Sequence, residues 1–210
     1  MKTCVVALCL LLSSCSLFKL STPTTPVKTS VVDDAMASVV ELYSPSRDAV
    51  FCTGAITHAV ILTAAHCVDP LNTWLVRYNG ELYDPEVVLQ QNENDLAVIR
   101  LVGKTLPEGR PLSEDAPVAG QTVVIIGHPY GFSYSMSVGI VSYGKRLGGP
   151  QSPQEAWVQI DARVAPGSSG SPVFNQYGEI LGIITFTLRG TFGGAIHVDV
   201  LRNTIGQLSI

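Results

Sequence analysis

Charged residues are scarce in this chain: Asp, Glu, Lys and Arg make up 14% of its 210 residues, and the formal net charge is -4. There is no basic run and no basic patch interleaved with aromatic residues, so a nucleic acid is not expected as a partner. The four histidines are scattered without the spacing of metal ligands, and no metal is expected. No glycine-rich phosphate loop precedes a helix, so no cofactor is expected either.

The apolar run near the N-terminus is too short to cross a bilayer. It follows Lys2, ends at Leu12 and is separated by two serines from Cys15. This layout predicts a secretory signal peptide over residues 1–14, and therefore an exported protein. The tetrapeptide Leu-Ser-Ser-Cys that ends at Cys15 resembles the bacterial lipobox, whose cysteine becomes the lipid-modified first residue. A lipid on Cys15 would anchor the protein to a membrane, facing the periplasm or the cell exterior. An ordinary signal peptide cut nearby is the alternative.

Residues 15–36 are predicted to form a flexible tether between Cys15 and a folded domain. They are rich in Ser, Thr, Pro and Val and have no helical or strand period, as in the stretch Ser-Thr-Pro-Thr-Thr-Pro that starts at Ser21. This composition is typical of extended linkers. The remaining residues, 37–210, suffice for one full-sized hydrophobic core and so for one domain.

Short apolar, β-branched runs alternate with turn residues through this domain, which predicts an all-β fold. The natural arrangement is two six-stranded antiparallel β-barrels followed by a C-terminal helix over 199–208, where apolar residues share one face. Residues 107–120 are the expected crossover between the barrels. The predicted strands are 38–43, 50–57, 60–63, 73–78, 86–90, 96–101, 122–126, 136–143, 156–160, 172–174, 180–186 and 194–198.

Three short segments contain the residue types of nucleophilic catalysis. They are Thr-Ala-Ala-His-Cys around His66, Asn-Asp-Leu-Ala-Val around Asp95 and Gly-Ser-Ser-Gly-Ser-Pro around Ser169. A serine hydroxyl needs an imidazole to take its proton and a carboxylate to hold that imidazole in the useful tautomer. A structural histidine and a solvated turn aspartate are the alternatives for isolated residues. Here His66 follows an apolar strand and Asp95 directly precedes one, which favours the catalytic interpretation.

The chain order His66, Asp95, Ser169, each inside its own flanking signature, resembles the chymotrypsin-like (trypsin-fold) serine peptidases. The resemblance extends from about Ala37 to the C-terminus, and the spacing is most similar to compact bacterial HtrA protease domains, without room for their PDZ modules. It implies a serine endopeptidase that acts on proteins or peptides, with the site in the cleft between the two barrels. The alternative is a non-catalytic binding module on the same fold.

The family pattern Gly-x-Ser-Gly-x-Pro assigns Ser169 as the nucleophile, and the backbone amides of Gly167 and Ser169 as the oxyanion hole. A side chain at position 167 would obstruct the substrate carbonyl in this interpretation. Ser171 replaces a second glycine that is common in the family. Ser168 replaces an aspartate that pairs with a newly cut N-terminus in digestive members, so activation by such a cut is not expected.

The resemblance also locates the primary substrate pocket, which would be walled by residues 161–165, 185–187 and 193–194. Arg163 lies where trypsin-like enzymes have an acid, which disfavours a preference for basic substrates. Arg163 could pair with an acidic substrate side chain; the alternative is a solvent-facing arginine and a preference for small or aliphatic residues. The expected pocket residues are Arg163, Thr185, Phe186, Thr187 and Gly194.

Five cysteines are divided between these segments. Cys4 and Cys9 lie in the signal peptide and Cys15 is the lipidation candidate, which leaves Cys52 and Cys67 in the domain. The family resemblance implies a disulfide between these two, because a bridged pair flanks the histidine loop there, and export favours it. Two reduced buried thiols are the alternative. The remaining histidines, His58, His128 and His197, lack the setting of His66 and are expected at the surface or in loops.

Overall fold

The computed structural model describes residues 29–69, 71–148, 156–188 and 190–208. Strands dominate, and a helix follows the last strand, as the sequence predicted. Short 3-10 turns cover Ala65–Cys67 and Pro129–Gly131. The remaining elements are α1 (Thr29–Ala37), β1 (Val39–Ser44), β2 (Ala49–Thr57), β3 (Val60–Ala64), β4 (Leu75–Tyr78), β5 (Glu81–Tyr83), β6 (Pro85–Gln91), β7 (Leu96–Leu101), β8 (Thr122–Gly127), β9 (Ser135–Leu147), β10 (Ala156–Asp161), β11 (Pro172–Phe174), β12 (Ile180–Leu188), β13 (Phe192–His197) and α2 (Val198–Gln207).

The N-terminal half is a curled seven-stranded sheet in the order β5-β4-β1-β2-β3-β7-β6. The sequence predicted a six-stranded barrel here. The additional strand is the three-residue β5, which was not predicted. Only Asp84 separates β5 from β6, so the two edges of the sheet are joined through the chain. Pro85 opens β6 and has no N–H to donate, which suits a position at a sheet edge.

The C-terminal half is a closed six-stranded barrel in the order β10-β13-β12-β11-β8-β9, which confirms the second predicted barrel. Each half has its own apolar cluster, and a third cluster lies between them. The third cluster combines Leu62 and Val98 of the sheet with Phe174 and Ile183 of the barrel. Burial of this shared surface holds the halves together and fixes the cleft between them.

Helix α1 corrects the prediction of a flexible tether for residues 29–36. Ala35 is buried in the cluster between the halves, and Met36 packs against it. The Ser38 hydroxyl donates to the Ala35 carbonyl at 2.7 Å and so satisfies the end of the helix. Two adjacent valines weaken the helical propensity of this segment, and tertiary packing outweighs that local preference. The folded part of the chain therefore begins earlier than the predicted position 37.

The predicted signal peptide, Cys15 and the tether up to residue 28 lie outside the described residues. Within the described ranges, no helix has both the length and the apolar character needed to span a bilayer.

Candidate active site

Two neighbouring strands bring His66 and Asp95 together. Strands β3 and β7 are antiparallel, and Ala64, the last residue of β3, pairs with Leu96, the first residue of β7. The residue that follows β3 by two positions and the residue that precedes β7 therefore lie at the same end of the sheet. The register of one strand pair thus places the predicted base beside the predicted carboxylate.

The Asp95 carboxylate holds His66 by both its side chain and its backbone. His66 Nδ1 lies 2.8 Å from Oδ2 and 3.0 Å from Oδ1 of Asp95, and the His66 backbone N–H donates to Oδ1 at 2.9 Å. The Asp95 side chain is 14% exposed, against 44% for His66. Because a carboxylate can only accept here, Nδ1 carries the hydrogen and Nε2 is the acceptor nitrogen. The exposed edge of the imidazole is then a base.

Asp95 itself is held by a further bond and by its backbone conformation. Its carbonyl accepts the Ala65 N–H at 2.9 Å. Its φ of 53° lies in the left-handed region, which Asp adopts more readily than most residues. The turn before β7 therefore aims the side chain toward the His66 loop.

Ser169 and His66 line the same cavity, of about 230 Å³, in the cleft between the halves. Ser169 is half-buried, and its carbonyl accepts the Thr53 N–H from strand β2 at 2.8 Å. Within the described ranges no hydrogen bond joins the Ser169 hydroxyl to His66; catalytic hydrogen bonds often tighten only when substrate binds. The structure thus places His66 and Ser169 at one cavity, with Asp95 bonded to His66.

The glycines on either side of Ser169 are required by the backbone. Gly167 and Gly170 have φ angles of 93° and 84°, in the region that favours glycine. A Cβ at position 167 would lie 2.3 Å from the His128 carbonyl oxygen, and one at position 170 would lie 1.8 Å from the Thr53 carbonyl oxygen. The sequence argument for Gly167 invoked the substrate carbonyl. The protein's own backbone already excludes a side chain there.

The carbonyl groups of Pro166 and Gly167 both point toward other parts of the protein. The Pro166 carbonyl accepts the Tyr130 N–H at 2.7 Å, and the Gly167 carbonyl accepts the Thr53 hydroxyl at 2.9 Å. In a trans peptide the N–H points opposite to the carbonyl, so the Gly167 N–H faces away from Tyr130. Among the described residues, the amides of Gly167 and Ser169 donate to no protein acceptor. Both amides are therefore available to a ligand.

Side chains of the protein cover the two glycines expected in the wall of the cavity beside Ser169. A Cβ on Gly193 would lie 2.7 Å from a methyl group of Val164, and one on Gly194 would lie 2.2 Å from the Phe186 ring. Gly194, predicted to line the pocket, is covered by Phe186 instead. The residues that line the cavity are His66, Val164, Ala165, Pro166, Ser169, Ile184, Thr185, Phe186 and Thr187.

Arg163 does not line this cavity, although the sequence placed it in the pocket. It is exposed and borders a different cavity of about 450 Å³ with Tyr130 and Met136. The backbone N–H of Arg163 donates to the Ser137 hydroxyl at 3.0 Å. Val164, next along the chain, takes the inward position. This placement matches the alternative of a solvent-facing arginine.

The sulfur atoms of Cys52 and Cys67 lie 1.99 Å apart, which is disulfide distance. Together with His66 they are the group of the described residues that offers three ligand atoms within 4.8 Å of one another. A thiolate, rather than a disulfide sulfur, is the metal ligand. Cys67 and His66 also border another cavity, of about 180 Å³, whose lining includes Arg47, Phe51 and Trp74.

Two histidines that were predicted at the surface or in loops are fully buried, and of the three only His58 is exposed. Burial lowers the pKa of His128 to about 4 and also lowers the pKa of His197. His197 caps helix α2 by accepting the Asp199 N–H at 3.1 Å. Long-range packing buries both side chains, and neither has a local sequence signal for it.

Glu41 is a further buried polar residue that sequence reasoning missed. It is 3% exposed, and its Oε2 accepts from Arg77 at 2.7 Å. The available signal was a charged residue inside the apolar run Val-Val-Glu-Leu. Charged side chains are almost never fully buried unless they are paired, so such a residue predicts a partner.

Residues 50–183 match the family model of the trypsin-like peptidase domain, and the chain belongs to this family. Over 156 residues it is 36% identical to a probable periplasmic serine endoprotease DegP-like of Pseudomonas savastanoi pv. phaseolicola, a match that covers 70% of this chain and 32% of that protein. A DegP-like relative from Halomonas elongata is 36% identical over 155 residues, with 32% of its length covered. The match thus spans about a third of the length of these relatives.

Solved structures agree with the fold. The Rv3671c protease from M. tuberculosis in its active form superposes with a TM-score of 0.74 at 21% identity, covering 87% of this chain and 86% of that one. The serine endoprotease from Yersinia pestis gives a TM-score of 0.72 at 27% identity, covering 87% of this chain and 66% of that one. The fold, a curled sheet followed by a closed barrel, is therefore shared with these proteases.

Proposed function

We propose that the protein is a serine endopeptidase that cleaves peptide bonds through an acyl-enzyme, with Ser169 as nucleophile, His66 as base and Asp95 as the orienting carboxylate. The observation that carries this proposal is the His66 imidazole, held at Nδ1 by Asp95 in the same cavity as Ser169. Membership of the trypsin-like peptidase family supports it.

The bonding at Nδ1 leaves Nε2 of His66 to take the proton of the Ser169 hydroxyl as its oxygen attacks the substrate carbonyl. The amides of Gly167 and Ser169 would receive the negative charge that develops on the carbonyl oxygen. The imidazolium then returns its proton to the leaving amine as the C–N bond breaks. Water repeats the sequence on the acyl-enzyme and regenerates Ser169.

The cavity favours small or aliphatic substrate side chains over acidic ones. Val164 and Phe186 cover the glycine wall, and the cavity of about 230 Å³ has no Arg163 guanidinium in its lining. A peptide library profiled with wild type and Arg163→Ala separates the alternatives. An unchanged small or aliphatic preference supports this assignment, whereas a preference for Asp or Glu that is lost in the variant contradicts it.

We further propose that the protein is exported and tethered to a membrane by a lipid on Cys15. The name of the DegP-like relatives includes the word periplasmic, which supports export. The lipid rests on the Leu-Ser-Ser-Cys signal alone. Mass spectrometry of the mature N-terminus tests it: a diacyl mass on Cys15 is expected, and an unmodified N-terminus elsewhere would refute the anchor.

The decisive experiment is fluorophosphonate labelling of wild type and Ser169→Ala, together with hydrolysis of a peptide substrate. We expect label on Ser169 in the wild type, and a loss of roughly a million-fold in turnover in the variant. The free energy of unfolding should change by less than about 0.5 kcal/mol, because the Ser169 hydroxyl makes no hydrogen bond to another described residue. A wild type that binds peptides without labelling or cleavage would favour the binding module.

A further inference from the structure

A buried polar chain runs from His128 through Thr53 to the carbonyl of Gly167, behind the loop that carries Ser169 (the serine loop). Thr53 and His128 are 0% exposed. Thr53 Oγ1 lies 2.9 Å from the Gly167 carbonyl oxygen and 3.0 Å from His128 Nδ1, and it accepts the His128 backbone N–H at 3.2 Å. Because buried polar groups without partners are costly, the two contacts of Thr53 Oγ1 constrain which atom donates in each.

The single hydroxyl hydrogen of Thr53 determines the direction of the chain. A carbonyl oxygen cannot donate. If both contacts of Thr53 Oγ1 are hydrogen bonds, the Thr53 hydroxyl must therefore donate to the Gly167 carbonyl. His128 Nδ1 must then carry its own hydrogen and donate it to Thr53 Oγ1. If His128 were protonated on Nε2 alone, Nδ1 and the Gly167 carbonyl would compete for one hydrogen, and the carbonyl could lose its partner. The Nδ1–H tautomer of His128 is thus the one in which both contacts of the Thr53 hydroxyl are hydrogen bonds, and it leaves Nε2 without a hydrogen-bond partner among the described residues.

Glu41 and Tyr134 are the neighbours of the His128 ring besides Thr53. Nε2 lies 3.7 Å from Oε1 of Glu41, which is beyond hydrogen-bond distance, and Glu41 is itself held by Arg77 and by the Ser133 hydroxyl. The Tyr134 ring packs edge-on against the imidazole, with centroids 5.1 Å apart. The His128 imidazole therefore lies between Thr53, Glu41 and Tyr134, and its Nδ1 edge stays against Thr53.

Thr53 holds both residues that carry the proposed oxyanion amides. Its N–H donates to the Ser169 carbonyl at 2.8 Å, and its hydroxyl donates to the Gly167 carbonyl at 2.9 Å. Gly167 has no side chain to restrict its backbone, so these bonds substitute for the missing restraint. An oxyanion hole works only when its donors already point at the developing charge.

We propose that Thr53 is a positioning residue for the oxyanion hole and that His128, as the Nδ1–H tautomer, directs the Thr53 hydroxyl to Gly167. The inference rests on the proposed function, since it assigns a role to residues that support the same site. Neither side chain touches the reacting atoms. Both act through the backbone of the loop that carries Ser169.

The kinetic test compares Thr53→Val with Thr53→Ser. Valine keeps the shape of threonine but removes the hydroxyl, whereas serine keeps the hydroxyl. We expect kcat to fall roughly 10- to 100-fold in Thr53→Val with KM changed less than about twofold, and Thr53→Ser to recover most of the loss. Equal kcat in wild type and a folded Thr53→Val, or a serine variant as impaired as the valine variant, would overturn the proposal.

The spectroscopic test does not depend on activity. Imidazole 15N NMR of the wild-type protein at neutral pH, with His128→Asn to assign the resonances, reports which ring nitrogen of His128 carries hydrogen. We expect Nδ1–H; an Nε2–H tautomer would refute the direction of the chain. If the wild type neither labels nor cleaves, the proposed function fails, whereas an active wild type with an unaffected Thr53→Val removes only the positioning role.

Discussion

The histidine side and the serine side of the site are built in different ways. His66 and Asp95 lie at the ends of two paired strands of one sheet, and their contacts depend on a single register. The serine loop is held by bonds from Thr53 in the other half of the molecule and from Tyr130 in the turn after β8. One side is positioned by local strand pairing, and the other by contacts between distant segments. Changes on the first side should therefore affect the chemistry directly, and changes on the second should act through loop geometry.

The strongest expected break in this comparison is Asp95→Asn. An amide can donate to His66 Nδ1 and so favour the tautomer with hydrogen on Nε2, which cannot take the proton of Ser169. We expect kcat to fall roughly 10⁴-fold while the fold is retained, because the strand register does not depend on this side chain. Circular dichroism controls for folding. Retention of more than about a tenth of the activity would contradict the role of Asp95.

The cysteine pair joins the two sides, because Cys52 precedes Thr53 and Cys67 follows His66. With a sequence separation of 15 between the cysteines, a disulfide should contribute about 3 kcal/mol to the free energy of unfolding. We expect the Cys52→Ser, Cys67→Ser double variant to lose about this amount in urea denaturation at neutral pH. Reductant should destabilise the wild type equally and leave the variant unchanged. Identical urea midpoints with and without reductant would argue for two free thiols.

The smallest expected effect is a pH dependence of the free energy of unfolding that comes from the buried His128. Burial outweighs the opposing attraction of Glu41 and lowers the pKa of His128 to about 4, from 6.5. Between these values the unfolded state binds a proton that the folded state does not, so stability is full above pH 6.5 and falls as pH drops toward 4. By pH 4.5 the loss should reach about 2 to 3 kcal/mol.

Denaturant titrations of wild type and His128→Asn at pH 7 and pH 4.5 measure how much free energy of unfolding each protein loses on acidification. The variant should lose less stability on acidification than the wild type does. Some acid sensitivity will remain in both, because burial also lowers the pKa of His197 and acts in the same direction. Equal losses in the two proteins would show that His128 does not carry the effect.

Periodic features of the chain were predictable, because strand pattern and catalytic motifs are local. Strand β7 was predicted with the bounds that the structure has, and so was β11. Two of the residues that the three motifs identified, His66 and Ser169, line one cavity, and the third, Asp95, bonds to His66. Each of these residues lies at a strand end or in a glycine turn, and both settings are determined by the neighbouring residues in the sequence.

The features that could not be predicted depend on distant contacts. Helix α1 follows from the packing of Ala35 between the two halves, and the burial of His128 follows from its contact with Thr53, 75 positions away in the chain. The pocket assignment of Arg163 came from a family alignment position, which does not determine the direction of a side chain. Val164 filled the inward site instead.

The two glycines that flank Ser169 affect how variant libraries of this protein should be interpreted. A side chain at Gly167 or Gly170 would meet a backbone oxygen, so a selection for folded, abundant protein alone would retain both. Their persistence among variants would therefore report architecture and not turnover. The Ser169 hydroxyl supports no contact in the described fold and would drift under such a selection. Comparing selections for abundance and for cleavage at these three positions separates the scaffold from the chemistry.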